Sequence, residues 1–291
     1  MTEVEHILAA HNELGEGSIW SVEEQALYWV DIFRGNYYHL NPATGAHQVI
    51  NVGVPIGVLA LRTSGGLVMA TRDGFALWEP QTRALSYIAK PEAGKPHMRF
   101  NDGAVDCAGR FWAGSMNNDE QAPPEGTLYR LDPDGSVHAM LTPVGVPNGI
   151  GWSPDNTIMY FTDSALGTIF VFDFDATTGE IANRRTFVHH PDDPSLPDGL
   201  TVDSEGFVWS AHWAGAKVVR YDPTGKVERI IQVPSFHVTS CVFGGANLDE
   251  LYITSAWIEQ TKEQKEQYPL SGDLFRAQTG IRGLEKFKFG G

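Results

Sequence analysis

The sequence predicts an all-β protein, a six-bladed β-propeller whose four-stranded antiparallel blades surround a central channel. Three observations support this fold class: a short motif recurs six times, a second set of motifs follows it in step, and the segments between them alternate as strands do. Six repeats in 291 residues give about 48 residues each, which matches the roughly 40 to 50 of a propeller blade. We therefore expect residues 1–291 to form a single domain.

The first set of motifs begins with one residue, most often acidic or an amide, that precedes a glycine and an apolar stretch. The successive intervals are 40, 46, 46, 50 and 41 residues. Because the innermost strand of every blade lines the channel, the residues that open this strand converge although they are distant in sequence. The six opening residues are Glu16, Ile56, Asp102, Asn148, Asp198 and Thr239.

The second set of motifs consists of turn-forming pairs such as Asn41-Pro42, Asp132-Pro133 and Asp222-Pro223. Between the two sets lie segments typical of strands, for example 26–30 and 206–210, with Gly, Asp and Asn at the breaks. A barrel of βα repeats is the main alternative. It would need an amphipathic helix in every repeat, and glycine or proline interrupts most candidate segments.

Three further local features belong to this prediction. Segment 258–267 is helical in composition and strongly polar, so we expect it to be an exposed insertion in the last blade. Residues 3–10 could add a strand to the same blade. The aspartates that begin hairpins after the innermost strands are interpreted as turn residues; they are Asp106, Asp155 and Asp203.

The composition excludes several classes of partner. Lys and Arg total 21 against 36 for Asp and Glu, and the net charge of −15 disfavours nucleic acid and anionic membrane surfaces. No apolar stretch approaches the roughly 20 residues that span a bilayer, and the first residues do not resemble a signal peptide. Cys107 and Cys241 lie in no CxxC motif, which suits a reducing compartment. We expect a cytoplasmic protein, either a monomer or a small homo-oligomer.

The converging positions predict a metal site. They include three carboxylates and one amide, and like charges crowded in a channel would repel by about 4 kcal/mol per pair at 4 Å if the effective dielectric constant is near 20. Asp or Asn before glycine also forms ordinary turns, which is the alternative interpretation. Glu16 is not a favoured turn residue, and its register with Asn148 and Asp198 favours metal ligands. Oxygen ligands suit a hard divalent ion such as Ca, Mg or Mn.

From about Glu13 to Phe275, the sequence resembles the regucalcin, gluconolactonase and luciferin-regenerating enzyme family. The motifs that carry the resemblance are Leu14-Gly15-Glu16-Gly17, Arg99-Phe100-Asn101-Asp102-Gly103, Val146-Pro147-Asn148-Gly149, Asn183-Arg184-Arg185, Pro197-Asp198-Gly199 and Cys241-Val242-Phe243-Gly244-Gly245. The resemblance implies a sugar lactonase with one divalent metal ion, which family members hold as calcium, zinc, manganese or iron. It implies Glu16, Asn148 and Asp198 as the ligands.

The resemblance also implies the substrate-binding residues. Arg99 and Asn101 match positions that bind the sugar lactone, and a glutamate of the animal members corresponds to Asp119 if the loop aligns without a gap. Asp102, His212 and Trp213 are further candidates, with Asp102 orienting a ligand and the other two facing the pocket.

These residues predict a carboxylic-ester hydrolase of the lactonase type. Opening an aldonolactone of the glucono-, xylono-, galactono- or arabinono- type to the aldonic acid needs a polarised carbonyl and an activated water, and Asp198 could accept the proton. The sequence has no Gly-x-Ser-x-Gly motif for a serine nucleophile. The alternatives are a metal-dependent phosphotriesterase or esterase on a non-sugar substrate, and a non-catalytic calcium-binding regulatory propeller.

Overall fold

Six four-stranded antiparallel sheets form a ring in the computed structural model, which describes residues 3–291. The six-bladed β-propeller predicted from the repeats is therefore confirmed. The innermost strands of blades one to six are β2 (Gly15–Ser21), β6 (Ile56–Leu61), β10 (Met98–Val105), β14 (Pro147–Trp152), β18 (Leu196–Val202) and β22 (His237–Gly244). Each contains one opening residue of the first set of motifs, so the repeats mark the innermost strands as predicted.

The remaining strands follow outward in each blade. The second strands are β3 (Ala26–Asp31), β7 (Leu67–Thr71), β11 (Phe111–Asn117), β15 (Ile158–Asp163), β19 (Val208–Trp213) and β23 (Glu250–Ala256). The third strands are β4 (Asn36–Asn41), β8 (Gly74–Glu79), β12 (Gly126–Leu131), β16 (Thr168–Phe174), β20 (Lys217–Tyr221) and β24 (Leu274–Gln278). The outermost strands of blades one to five are β5 (Ala46–Asn51), β9 (Ala84–Ala89), β13 (Val137–Val144), β17 (Ile181–His189) and β21 (Val227–Gln232).

The ring closes through the N-terminal strand. Strand β1 (Val4–Leu8) pairs antiparallel with β24, with Val4 opposite Ala277, and is the outermost strand of the sixth blade. Residues 3–10 thus supply the strand that the sequence suggested. The first and last strands of the propeller share one sheet, so opening the ring would break the hydrogen bonds of that sheet.

The polar insertion of the last blade is a short exposed helix. Helix α1 (Lys262–Gln267) lies between β23 and β24 and buries none of its residues. The hydroxyl of Thr261 accepts a hydrogen bond from the Gln264 amide, and the Gln264 side chain accepts one from the Thr261 amide, so a capping box fixes its start. Over residues 3–291, no helix is long and apolar enough to cross a membrane.

Asp106 and Asp203 form the predicted turns and have a second role. One carboxylate oxygen of each accepts backbone N–H groups of its hairpin. The other oxygen accepts a hydrogen bond from the indole N–H of the tryptophan six residues later. The distance is 2.9 Å from Trp112 to Asp106 and 2.8 Å from Trp209 to Asp203. Both aspartates are fully buried, so they join the hairpin to the blade core. Asp155, by contrast, forms an exposed turn.

A C-terminal strap, residues 281–291, crosses one end of the channel. It runs over the hairpins that follow the innermost strands: the Ser204 amide donates to the Arg282 carbonyl, and the Gly290 amide donates to the Gly109 carbonyl. Near its end, Phe289 packs into the apolar cluster of blades two and three against Phe75 and Phe100. The strap therefore ties several blades together and covers the end of the channel opposite the start of the innermost strands.

We expect Phe289→Ala to lower the free energy of unfolding by about 3 kcal/mol or more, because deleting a buried phenylalanine removes its transfer energy and leaves a cavity. Phe289 is 1% exposed. Phe287→Ala is the matched control, since that side chain in the same strap is 43% exposed. Urea unfolding of both variants measures the difference. Equal losses would show that the strap is not anchored through Phe289.

Candidate metal and substrate site

Every innermost strand is interrupted by a break in its pairing next to the repeated motif. In β2 the break lies between Glu16 and Ile19, and in β14 between Asn148 and Ile150. Such bulges leave residues unpaired and redirect their side chains. The repeated bulge turns the opening residues of several blades toward the channel.

The glycine of the motif lets neighbouring innermost strands approach one another. A Cβ added at Gly57 would lie 2.6 Å from the carbonyl oxygens of Phe100 and Asn101 in the next blade. A Cβ at Gly149 would lie 2.6 Å from the Leu200 amide nitrogen. Both distances are shorter than any real Cβ contact, so only glycine permits the narrow axis on which the polar side chains meet.

A pocket of about 210 Å³ opens at the start of the innermost strands. Its polar lining includes the three predicted metal ligands and the two predicted substrate-binding residues of β10. They are Glu16, Asn148, Asp198, Arg99 and Asn101. Apolar side chains form much of the remaining wall; among them are Leu14, Phe33, Val146, Leu196, Trp213 and Ile258. The structure therefore brings five predicted residues together from four different blades.

Hydrogen bonds fix the amide ligand in place. The Asn101 side-chain amide donates to Asn148 Oδ1 at 3.0 Å and to the Pro147 carbonyl at 2.9 Å. Asn148 in turn donates to Ser164 Oγ at 2.9 Å, and that hydroxyl donates to the Pro197 carbonyl at 2.6 Å. This orientation leaves Asn148 Oδ1 as an acceptor with a second lone pair. Ser164 lies outside the repeated motifs, and no sequence pattern singled it out.

Burial disfavours the ionised form of the three carboxyl groups at the axis, and neighbouring negative charge adds to this effect at Glu16 and Asp198. Burial, followed by the neighbouring Asp102 charge, raises the pKa of Glu16 to about 8. Burial, followed by the charges of Glu16 and Asp102, raises the pKa of Asp198 well above its ordinary value. Burial also raises the pKa of Asp102 to about 6. Nearby positive charge would relieve this repulsion and favour the ionised forms.

The donor set fits a divalent cation. Asp198 Oδ1 is buried and has no hydrogen-bond partner, which is costly unless another group satisfies it. Together with Glu16 and Asn148 Oδ1 it offers oxygen ligands to one region of the pocket. Within residues 3–291, no three His, Cys, Asp or Glu side chains are grouped as metal ligands. The candidate set has two carboxylates and an amide, so water would complete the coordination.

Arg99 is the cation of the pocket. Its guanidinium donates to Asn101 Oδ1 and to the Phe100 carbonyl, lies 5.5 Å from the Phe33 ring centre, and keeps Nε without a partner. Burial lowers the pKa of Arg99 to about 10, against the opposing effect of Glu120 and Glu16. The side chain is therefore charged at neutral pH and has a free donor.

The loop after β11 corrects one sequence prediction. Both acidic residues of this loop are exposed, but Glu120 lines the pocket, whereas Asp119 does not and accepts a hydrogen bond from the Gln121 amide at 3.1 Å. Of these two residues, only Glu120 is therefore in a position to contact a molecule in the pocket. A loop lacks the strand register that fixes position elsewhere, so the sequence alone did not determine which of its acidic residues lines the pocket.

The other candidate residues occupy different places. Asp102 lines a smaller cavity beneath the pocket, together with Lys286 of the strap, whose ammonium donates to Thr201 Oγ1 at 2.9 Å. His212 is buried behind the pocket, where it contacts Ser195 Oγ and Tyr221 Oη; burial lowers its pKa to about 3. His212 is therefore neutral and does not line the pocket.

Trp213 does line the pocket, as predicted. Its ring stacks on His237 with the ring centres 3.7 Å apart. The His237 Nδ1 atom accepts a hydrogen bond from the Ala214 amide at 3.2 Å. His237 therefore supports one face of the indole, and this contact holds Trp213 at the wall.

The family model described as the SMP-30/Gluconolactonase/LRE-like region matches residues 14–257. The chain belongs to this family. A regucalcin of Xenopus laevis is 35% identical over 295 residues, which cover 99% of each chain. Pentonolactonase XacC of Haloferax volcanii is 38% identical over 282 residues, which cover 94% of each chain. These relatives confirm the predicted family.

A solved structure supports the same assignment. The calcium-binding protein regucalcin of Agrobacterium tumefaciens superimposes with a TM-score of 0.95 at 26% identity, covering 99% of this chain and 97% of its own. At the level of the family, the expected lactonase-type carboxylic-ester hydrolase is confirmed. The roles of the individual side chains in this member of the family remain predictions.

Proposed function

We propose that this protein is a divalent-metal-dependent hydrolase that opens a sugar aldonolactone, of the glucono-, xylono-, galactono- or arabinono- type, to the aldonic acid. The observation that carries the proposal is the composition of one pocket. Buried oxygen donors of Glu16, Asn148 and Asp198 lie beside the hydrogen-bond donors of Arg99 and Asn101. The name of the 38% identical relative, a pentonolactonase, supports the same substrate class.

Glu16, Asn148 and Asp198 are the residues that would hold the metal ion, and calcium, zinc, manganese, magnesium and iron are its candidates. A divalent ion bound there polarises a lactone carbonyl and stabilises the negative charge that develops on its oxygen. The described residues around it restrict water access, since all three ligands are buried. In such an environment each electrostatic contact is stronger than it would be in bulk water.

Asp198 is the proposed general base. One of its oxygens is buried without a partner, and it adjoins the site where a lactone carbonyl would lie. It accepts a proton from water as the water oxygen bonds to the carbonyl carbon. The bond between that carbon and the ring oxygen then breaks, Asp198 returns the proton to the ring oxygen, and the product is a hydroxy acid.

Arg99, Asn101 and Glu120 are the proposed contacts to the sugar. The Arg99 guanidinium lines the pocket and can donate to a ring or hydroxyl oxygen, and the Glu120 carboxylate can accept from a hydroxyl group. Trp213 and Ile258 present apolar surface to the C–H groups of the ring. Donors on one side and apolar walls on the other match a small polyhydroxylated ring.

A non-catalytic calcium-binding role is the second candidate. The donor set consists of oxygens alone, which calcium prefers, and one similar structure is described as a calcium-binding protein. Turnover separates the two: a regulatory binder would take up the ion and leave lactones unchanged. A phosphotriesterase or an esterase on a non-sugar substrate would fail with sugar lactones and act on its own ester.

We expect the purified protein to hydrolyse members of a panel of glucono-, galactono-, xylono- and arabinonolactones, measured as acid release above the spontaneous rate. Chelation should abolish the activity and a divalent ion should restore it. Asp198→Asn should lower kcat by about 10²- to 10⁴-fold, since it removes the base and one charged ligand. Activity that survives verified metal removal would contradict the proposal, as would an unimpaired, folded Asp198→Asn variant.

A second prediction compares neighbouring acidic residues of one loop. Glu120→Gln should raise KM for the preferred lactone by about tenfold, because a hydrogen bond to a charged group contributes roughly 1.5–3 kcal/mol. Asp119→Asn should leave KM unchanged, because Asp119 lies outside the pocket. Steady-state kinetics of the two variants measures this. A larger rise in KM for Asp119→Asn than for Glu120→Gln would show that Asp119 makes the substrate contact.

A further inference from the structure

The rim of the pocket carries two carboxylates from different parts of the chain. Glu120 comes from the loop after β11, and Glu259 from the segment between β23 and α1. Burial raises the pKa of Glu120; the Arg99 charge opposes this rise and the Glu259 charge adds to it, so the two carboxylates lie near each other. They lie above the floor formed by Glu16 and Asp198, so acidic groups occupy both levels of the pocket.

The backbone holds Glu259 firmly in place. It has a φ of 60°, which is uncommon for a residue with a side chain and needs support from its surroundings. The preceding Ile258 amide donates to the Glu13 carbonyl at 3.2 Å. The following Gln260 is buried and donates to the Ala256 carbonyl at 3.3 Å. Glu259 thus projects from an anchored segment and not from a free loop.

The charges of the pocket do not cancel. Arg99 is the only cationic side chain among the described residues that line it, against the carboxylates of Glu16, Asp198, Glu120 and Glu259. With one divalent ion on the floor, the pocket keeps a net negative charge. The reacting carbonyl must lie at the floor, so the far end of the substrate faces Glu120 and Glu259.

We propose that Glu259, together with Glu120, selects for uncharged sugar lactones and rejects lactones that carry a phosphate or carboxylate at the far end. The inference rests on the proposed lactonase function and narrows its substrate class. An anionic group at the rim would meet two like charges, and like-charge contacts at a binding site strongly disfavour the wrong ligand. Arg99, the one cation among the described lining residues, already faces the charges of Glu120 and Glu16, and Ile258 offers only apolar surface.

The test compares D-glucono-1,5-lactone with its 6-phosphate, which share one ring and one reacting group. At low ionic strength we expect kcat/KM to favour the uncharged lactone by about 100-fold or more. Raising the salt to about 0.3 M should narrow the ratio, because it shortens the screening length to well below 10 Å. Exclusion of the phosphate by size alone would not respond to salt.

Glu259→Gln should reduce the kcat/KM preference for the uncharged lactone by about tenfold, since it removes one rim charge and keeps the shape of the side chain. Glu266→Gln is the matched control: this glutamate of α1 is 69% exposed, lies outside the pocket and should leave the ratio unchanged. Equal kcat/KM for the two lactones in the parent protein would overturn this inference alone. The same kcat/KM ratio in Glu259→Gln and Glu266→Gln would also overturn it. Failure to hydrolyse these two lactones and every other sugar lactone of the panel would overturn the proposed function and this inference with it.

Discussion

Three acidic side chains are buried around one axis, and the surrounding residues of the site must offset the cost of burying their charge. Glu16, Asp102 and Asp198 are each less than 8% exposed; burial raises the pKa of all three, and neighbouring carboxylate charge raises the pKa of Glu16 and Asp198 further. Burying unpaired charge of this kind is strongly destabilising. The surrounding structure supplies partial compensation: the amides of Gly17 and Gly103 donate to Glu16 and Asp102. Asp198 Oδ1 is left for a ligand.

The two ends of the channel differ in structure: one is covered by the C-terminal strap and the other opens as the pocket. At one end the C-terminal strap covers the hairpins and brings the Lys286 ammonium close to Asp102, where its charge partly opposes the rise in pKa that burial causes. At the other end the innermost strands begin, and loops from several blades form the walls of the pocket. Rigid strands therefore place the ligands, whereas the loops, which can vary without disturbing the ring, contact the far end of a substrate.

The repeats predicted the ring and the convergence of Glu16, Asn148 and Asp198, because a period of one blade fixes which residues open equivalent strands. Within β10 the same reasoning did not identify which residue meets Asn148. The motif aligned Asp102 with Asn148, but Asn101 makes the contact to Asn148, and Asp102 faces the cavity beneath. The bulge in β10 leaves both residues unpaired, and a shift of one residue exchanges the faces of a strand.

Features that occur once could not be predicted from a period. Ser164, Glu259 and Lys286 belong to a turn, an insertion and the strap, and the position of Glu120 follows from the path of a single loop. The buried roles of Asp106 and Asp203 did leave a signal, because each precedes a tryptophan by six residues. That spacing places the carboxylate and the indole across one hairpin.

Anomalous diffraction from crystals of the protein soaked with Mn²⁺ would locate the metal ion without any assumption about activity. The proposed ligand set predicts an anomalous peak contacted by Glu16, Asn148 and Asp198 at oxygen-to-metal distances of about 2.0–2.6 Å. A peak elsewhere, or none at this position under saturating Mn²⁺, would contradict it.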